Sequence, residues 1–136
     1  MSTGLVAEYM TREKWHQALF TYKERDSSPS YAKGRRKHLR FRMAGWATVF
    51  IDSADKQSAQ TLQGCQLLDV SEEGIALRVP RKIEPNTAVT MELHVSGRIF
   101  RLSGRAIYHA RLPGAVRVGF KLEFRSADQQ TNSTDR

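Results

Sequence analysis

From Phe41 onward, apolar residues recur at every second position, as in strands with one buried face. Ala47, Val49 and Ile51 alternate with Trp46, Thr48 and Phe50, so Phe41 to Ile51 reads as a strand. Leu62 to Val70 is a second. Ile75, Leu77 and Val79 alternate with Ala76 and Arg78 in a third, which Pro80 stops. Val89, Met91, Leu93 and Val95 share a phase in a fourth. Arg98 to His109 is a fifth, with Phe100, Leu102, Ala106 and Tyr108 on one face and Arg101, Ser103 and Arg105 on the other. The cleanest alternation is the sixth, where Val116, Val118, Phe120, Leu122 and Phe124 interleave with Arg117, Gly119, Lys121 and Glu123. The breaks between these runs are turn-like: a polar stretch from Asp52 to Gln60, Ser71-Glu72-Glu73-Gly74, a connection through Pro85, Ser96-Gly97 and Leu112-Pro113-Gly114.

Upstream the period changes. Trp15, Leu19 and Tyr22 recur at helical spacing, Thr11 can cap a helix, and Glu13 suits its first turn. Residues 5–25 therefore read as helical, with Leu5, Tyr9 and Met10 extending the apolar stripe. An aromatic stripe at this spacing is usually a packing face. Asp26-Ser27-Ser28-Pro29-Ser30 breaks the pattern and reads as a linker.

This pattern gives an all-β fold class: six antiparallel strands joined by short turns, closing into a barrel, with a short N-terminal helical segment. Six strands close more economically than they stack as a sandwich. The expected organisation is a helical or flexible extension and linker over residues 1–32, a barrel domain over 33–125, and a disordered polar tail over 126–136.

Composition narrows the function. The 136 residues allow one core, and a 40% hydrophobic content fits a folded protein. The formal net charge of +8 favours anionic partners. Cys65, the single cysteine, lies in an apolar run and reads as a buried small hydrophobe, so neither a disulfide nor a multi-cysteine zinc site is expected. With no bilayer-length apolar run and no basic-then-apolar leader, the expected location is the cytoplasm. His16, His38, His94 and His109 are scattered, and no nucleophile elbow or phosphate-binding loop is present, so the chain reads as non-catalytic, without metal or cofactor.

Two features carry chemistry. The first is the basic run from Lys33 to Arg42, containing Arg36-Lys37-His38-Leu39-Arg40. Arginine presents a planar fork of donors that grips a phosphate or the O6/N7 edge of guanine. In extended backbone Arg36 and Arg40 project to one side. The second is Asp69-Val70-Ser71-Glu72-Glu73-Gly74. Asp69 can accept from paired donors such as N1–H and N2–H₂ of guanine. Ser71 can donate to an anionic oxygen or tie down the turn, and Gly74 permits close approach. Each feature alone is also an ordinary basic linker or an ordinary β-turn.

Together, in this order on an all-β frame, they resemble the PilZ domain, the bacterial receptor module for bis-(3′-5′)-cyclic dimeric GMP (cyclic di-GMP). That family carries Arg-x-x-x-Arg before its first strand and Asp/Asn-x-Ser-x-x-Gly at a hairpin. The likeness continues through Ile75-Ala76-Leu77, Arg98–Tyr108 and Val118-Gly119-Phe120, covering roughly residues 34–125. It implies a six-stranded antiparallel barrel with ligand on its outer surface. By carry-over, Arg36 and Arg40 contact phosphates and guanine Hoogsteen edges, Asp69 takes the Watson–Crick edge, Ser71 meets a phosphate or orders the loop, and Gly74 allows close approach. Arg35, just before the motif, implies an intercalated pair of ligand molecules, and Tyr108 offers a ring for stacking. Glu73 departs from the pattern, since the family often has a second glycine there. The implied output passes through a protein partner or a ligand-dependent change in self-association, in systems such as motility or biofilm formation. The alternative is a nucleic-acid-binding barrel using Lys33–Arg42 as a basic arm and Trp46 or Phe41 for stacking. Few aromatics interleave with the basic residues, which argues against it.

Overall fold

A computed structural model describes residues 6–25, 28–29, 41–52 and 60–124. The elements in chain order are β1 (Ala7–Tyr9), α1 (Arg12–Arg25), β2 (Ser28–Pro29), β3 (Phe41–Arg42), β4 (Trp46–Ile51), β5 (Gln60–Val70), β6 (Gly74–Val79), β7 (Ala88–Val95), β8 (Arg98–Leu112) and β9 (Ala115–Glu123). Six of them form a closed antiparallel barrel in the order β5-β4-β7-β8-β9-β6, and β6 returns to pair with β5. The expected all-β barrel with a short N-terminal helix is thus the observed fold.

The alternation dictates which residues fill it. Val49, Leu67, Leu77, Met91, Leu93, Phe100, Leu102, Val118 and Phe120 are each at most 3% exposed and form one core. Cys65 belongs to the same core, and burial pushes its thiol up to about 11. The β7–β8 turn is closed by Ser96 and Gly97 with φ of 51° and 78°, the pair of left-handed residues that a twisted two-residue hairpin requires.

α1 seals one end of the barrel. Thr11 Oγ1 accepts from the Lys14 amide at 3.2 Å, the expected cap, and Glu13 stands in the first turn. Trp15 and Leu19 are buried, and the Trp15 ring meets Phe100 edge-on with centroids 6.3 Å apart. The helical stripe is therefore a packing face.

Three expectations need correction. Residues 7–9 are not helical. They form β1, parallel to β8, and the Met10 amide continues the ladder by donating to the Arg101 carbonyl at 3.0 Å. An extended segment there satisfies the outer edge of β8, which a helix cannot do. The span from Phe41 to Ile51 is two strands. Phe41 faces Val70 and Trp46 faces Gln66, so five steps on one chain oppose four on the other, and the excess is spent at Met43–Gly45. Finally, Ser28–Pro29, expected within a linker, pairs with β3. The expected tail, 126–136, lies outside the described residues.

Candidate functional site

Two register shifts build the outer face between β5 and β8. Leu67 faces Leu77, but Asp69 faces Ala76: two steps on β5 oppose one on β6. Ala106 faces Phe120, but Tyr108 faces Gly119, the same excess on β8. A bulge of this kind reverses the phase of the residues beyond it. Asp69 and Tyr108 thereby leave the inward phase of Leu67 and Ala106 and join the outward phase of Ala76 and Gly119. Simple alternation puts Tyr108 on the face of Phe100, Leu102 and Ala106, and the bulge is why that is not so.

The four residues now lie in one row across the barrel wall, Asp69–Ala76–Gly119–Tyr108. The middle two are the smallest residues available. Ala76 is 1% exposed yet is not part of the core cluster. A Cβ placed on Gly119 would sit 2.1 Å from the Tyr108 ring, so the missing side chain is what seats that ring against the wall.

Arg117 crosses this row. Its Nη2–H donates to Asp69 Oδ2 at 2.7 Å and its Nε–H donates to the Tyr108 hydroxyl at 3.2 Å. Asp69 is 7% exposed. Burial opposes the Arg117 charge, but hydrogen bonds to Tyr108 and Asp69, with their electrostatic attraction, outweigh it, and its pKa rises above the ordinary guanidinium value. Beside the row a depression of about 200 Å³ is lined by Glu73, Gly74, Ile107, Tyr108, Gly119 and Lys121.

The turn after Asp69 is rigidly tied. The Ser71 amide donates to the Gly74 carbonyl at 2.8 Å, and the Ser71 hydroxyl reaches the same oxygen at 3.4 Å. Of the two roles open to Ser71, closing the turn is the one made here. A Cβ on Gly74 would meet the Phe120 carbonyl at 3.2 Å, so the strand passes close to its neighbour. α1 grips the turn from the barrel end. The Trp15 indole N–H donates to the Ser71 carbonyl at 3.0 Å in a buried bond. Arg12 pairs with Glu73 at 2.8 Å, so the negative charge that Glu73 adds beside the turn has a cation on it.

Asp69, Ser71, Gly74 and Tyr108 are thus brought to one side of the barrel. Arg35, Arg36 and Arg40 lie outside the described residues. Sequence reading misses Arg117, which it gives only as an outward position on the last strand. It also misses the grip of α1 on the turn. Among the described residues no cluster of His, Cys, Asp and Glu is arranged to hold a metal, and no helix is long and apolar enough to cross a membrane.

A family model described as the PilZ domain matches residues 34–134. No curated protein matches the chain. The match spans most of the chain and includes both motifs, and the barrel is the one that the resemblance implied. This chain belongs to the PilZ domain family, whose domains are receptors for cyclic di-GMP.

Proposed function

We propose that this protein is a non-catalytic receptor that binds cyclic di-GMP on the outer face of β5, β6, β9 and β8 and passes the signal to a protein partner. The observation that carries the reading is the bulge at Asp69. It turns a carboxylate out of the core phase and sets it in line with Tyr108, beside the tied turn of Ser71 and Gly74. A carboxylate so placed suits the N1–H and N2–H₂ edge of guanine, and the Tyr108 ring suits its π-face. Arg36 and Arg40 supply the forks for phosphates and Hoogsteen edges. Arg35 extends the cationic run and favours two intercalated ligand molecules.

Transmission depends on where the turn is held. Ligand bridging Arg36 and Arg40 to Asp69 draws the linker onto the barrel and rearranges it. The same turn is bonded to α1 through Trp15 and Arg12, so strain at the site reaches the N-terminal segment directly. A partner, or a second copy of the chain, reads that change, in the cytoplasm. An output in motility or biofilm formation is what the family suggests.

Calorimetric titration with cyclic di-GMP tests the site. The expected stoichiometry is two ligands per chain. Arg36→Ala and Asp69→Ala should each cost on the order of 1.5–3 kcal/mol, roughly tenfold or more in affinity. Parent-like heats in both variants refute the assignment. Hydrogen exchange over residues 26–42 tracks the linker, and equal protection with and without ligand refutes the rearrangement. One observation favours the alternative partner: Trp46 is 45% exposed and stacks on His94 with centroids 3.7 Å apart, an outward aromatic platform. If single-stranded nucleic acid is the ligand, affinity falls steeply with salt and cyclic di-GMP does not compete.

A further inference from the structure

Asp69 already has an occupant. The guanidinium of Arg117 donates to Asp69 Oδ2 at 2.7 Å. A guanidinium and the Watson–Crick edge of guanine both present planar N–H donors to a carboxylate, and Arg117 spends one of its own on Asp69 Oδ2. Arg117 differs in being covalently part of the chain, so it competes at high effective concentration. It is also held in place. The Tyr108 hydroxyl fixes its Nε, and the small residues Ala76 and Gly119 keep the wall between Tyr108 and Asp69 low enough for the side chain to cross. The pair is well shielded, with the Arg117 and Asp69 side chains 28% and 9% exposed, so solvent screens it weakly.

We infer that Arg117 is a resident competitor for guanine at Asp69, an intramolecular stand-in that the nucleotide must displace. This deepens the receptor reading above and rests on it. Whichever donor pairs with the shielded carboxylate gains the same stabilisation. In the parent that gain is made before ligand arrives, so ligand collects only the difference between two similar partners. The apparent affinity is the intrinsic affinity scaled by the fraction of molecules in which Arg117 has let go. Tyr108 takes on a second role. While its hydroxyl holds Arg117, the closed arrangement persists; once Arg117 leaves, its ring faces the ligand.

The contrary effect is that Arg117 is a cation and the ligand an anion. Losing one positive charge from a chain of net charge +8 weakens long-range attraction slightly, and salt suppresses that loss. The competitor effect acts at contact and survives salt.

The test is titration of the full chain with cyclic di-GMP at low and high salt, for the parent, Arg117→Met and Tyr108→Phe. Methionine keeps an apolar stem of similar reach but has no donors. Arg117→Met should bind about tenfold more tightly, the effect of freeing one charge-assisted hydrogen bond. The gain should lie in the association rate and persist at high salt. Tyr108→Phe keeps the ring, loosens the grip on Arg117, and should bind about twofold more tightly. A folded Arg117→Met that binds equally or more weakly at both salts overturns the inference and makes Arg117 a scaffold or a ligand contact. Should that variant fail to fold, Tyr108→Phe decides: unchanged or weaker binding overturns the inference. If the parent itself gives no heat, the receptor reading fails and this one goes with it. Parent binding without a gain in either variant sinks the competitor alone.

Discussion

Two stretches of the barrel's outer wall obey the same alternation and differ in almost everything else. Between β4 and β7 and between β7 and the start of β8 the ladder is unbroken, with six consecutive pairs in the first and eight in the second. Outward side chains there include large and charged ones: Trp46 stacks on His94, and Arg101 pairs with Glu92. Between β5 and β6 and between β8 and β9 the ladder is broken once each, and the outward positions between the two breaks are Ala76 and Gly119. A regular ladder with large outward residues covers itself and leaves its charges in water. A bulged ladder with small outward residues leaves a depression beside Tyr108 and Gly119 and shields an ion pair next to it. Broken ladders and small outward residues together separate this wall from the plain one.

The largest effect should come from the α1 end of the barrel, which holds the motif turn. Trp15 is 1% exposed, packs against Phe100 and hydrogen-bonds the Ser71 carbonyl. Trp15→Ala should cost about 3–5 kcal/mol in chemical denaturation, because it removes a large core ring and unties the motif turn together. A loss under about 1 kcal/mol would mean that α1 is only loosely attached and that the turn stands without it. Next is Gly119→Ala. The added Cβ has no room while Tyr108 stays on the wall, since it would lie 2.1 Å from the ring. The ring must lift, and Arg117 loses its Nε partner. The expected cost is about 1–3 kcal/mol, with a changed near-ultraviolet tyrosine signal. An unchanged spectrum at parent stability would show that the ring does not rest on Gly119.

The difference between the two faces also marks what the sequence makes legible. Where the ladder is regular, period 2 reads correctly: Val89, Met91, Leu93 and Val95 are all buried as their phase requires. The six barrel strands, the Ser96-Gly97 hairpin and the closed barrel come from the same pattern. At the site the pattern misleads. One extra residue in β8 carries no compositional mark, so Tyr108 keeps the phase of Ala106 on paper and loses it in three dimensions. The Arg117–Asp69 pair joins residues 48 apart, and no spacing rule reaches that far. Residues 7–9 read as helix because Tyr9 and Met10 extend an apolar stripe, while the edge of β8 that claims them is about 90 residues downstream. The Asp-x-Ser-x-x-Gly turn is legible because its own residues close it. The arginine motif is legible as chemistry, and Arg35, Arg36 and Arg40 lie outside the described residues.

The smallest expected effect comes from setting an exposed ion pair against the shielded one. Glu8 and Arg98 pair at 2.9 Å with side chains 43% and 44% exposed, and Asp69 and Arg117 pair at 2.7 Å with side chains 9% and 28% exposed. The exposed pair is forked, with Arg98 Nε and Nη2 on both Glu8 oxygens, and the shielded pair is a single Nη2–Oδ2 bond. Glu8→Gln removes a charge that water already solvates and should cost at most about 1 kcal/mol, shrinking further as salt is raised. Asp69→Asn leaves Arg117 with a shielded charge and no counter-charge, and should cost about 1–3 kcal/mol with little salt dependence. Urea denaturation at two salt concentrations measures both. If the two substitutions cost the same and respond to salt alike, burial does not distinguish these two pairs. The wall around Asp69 would then be no more a built site than the face beside Trp46.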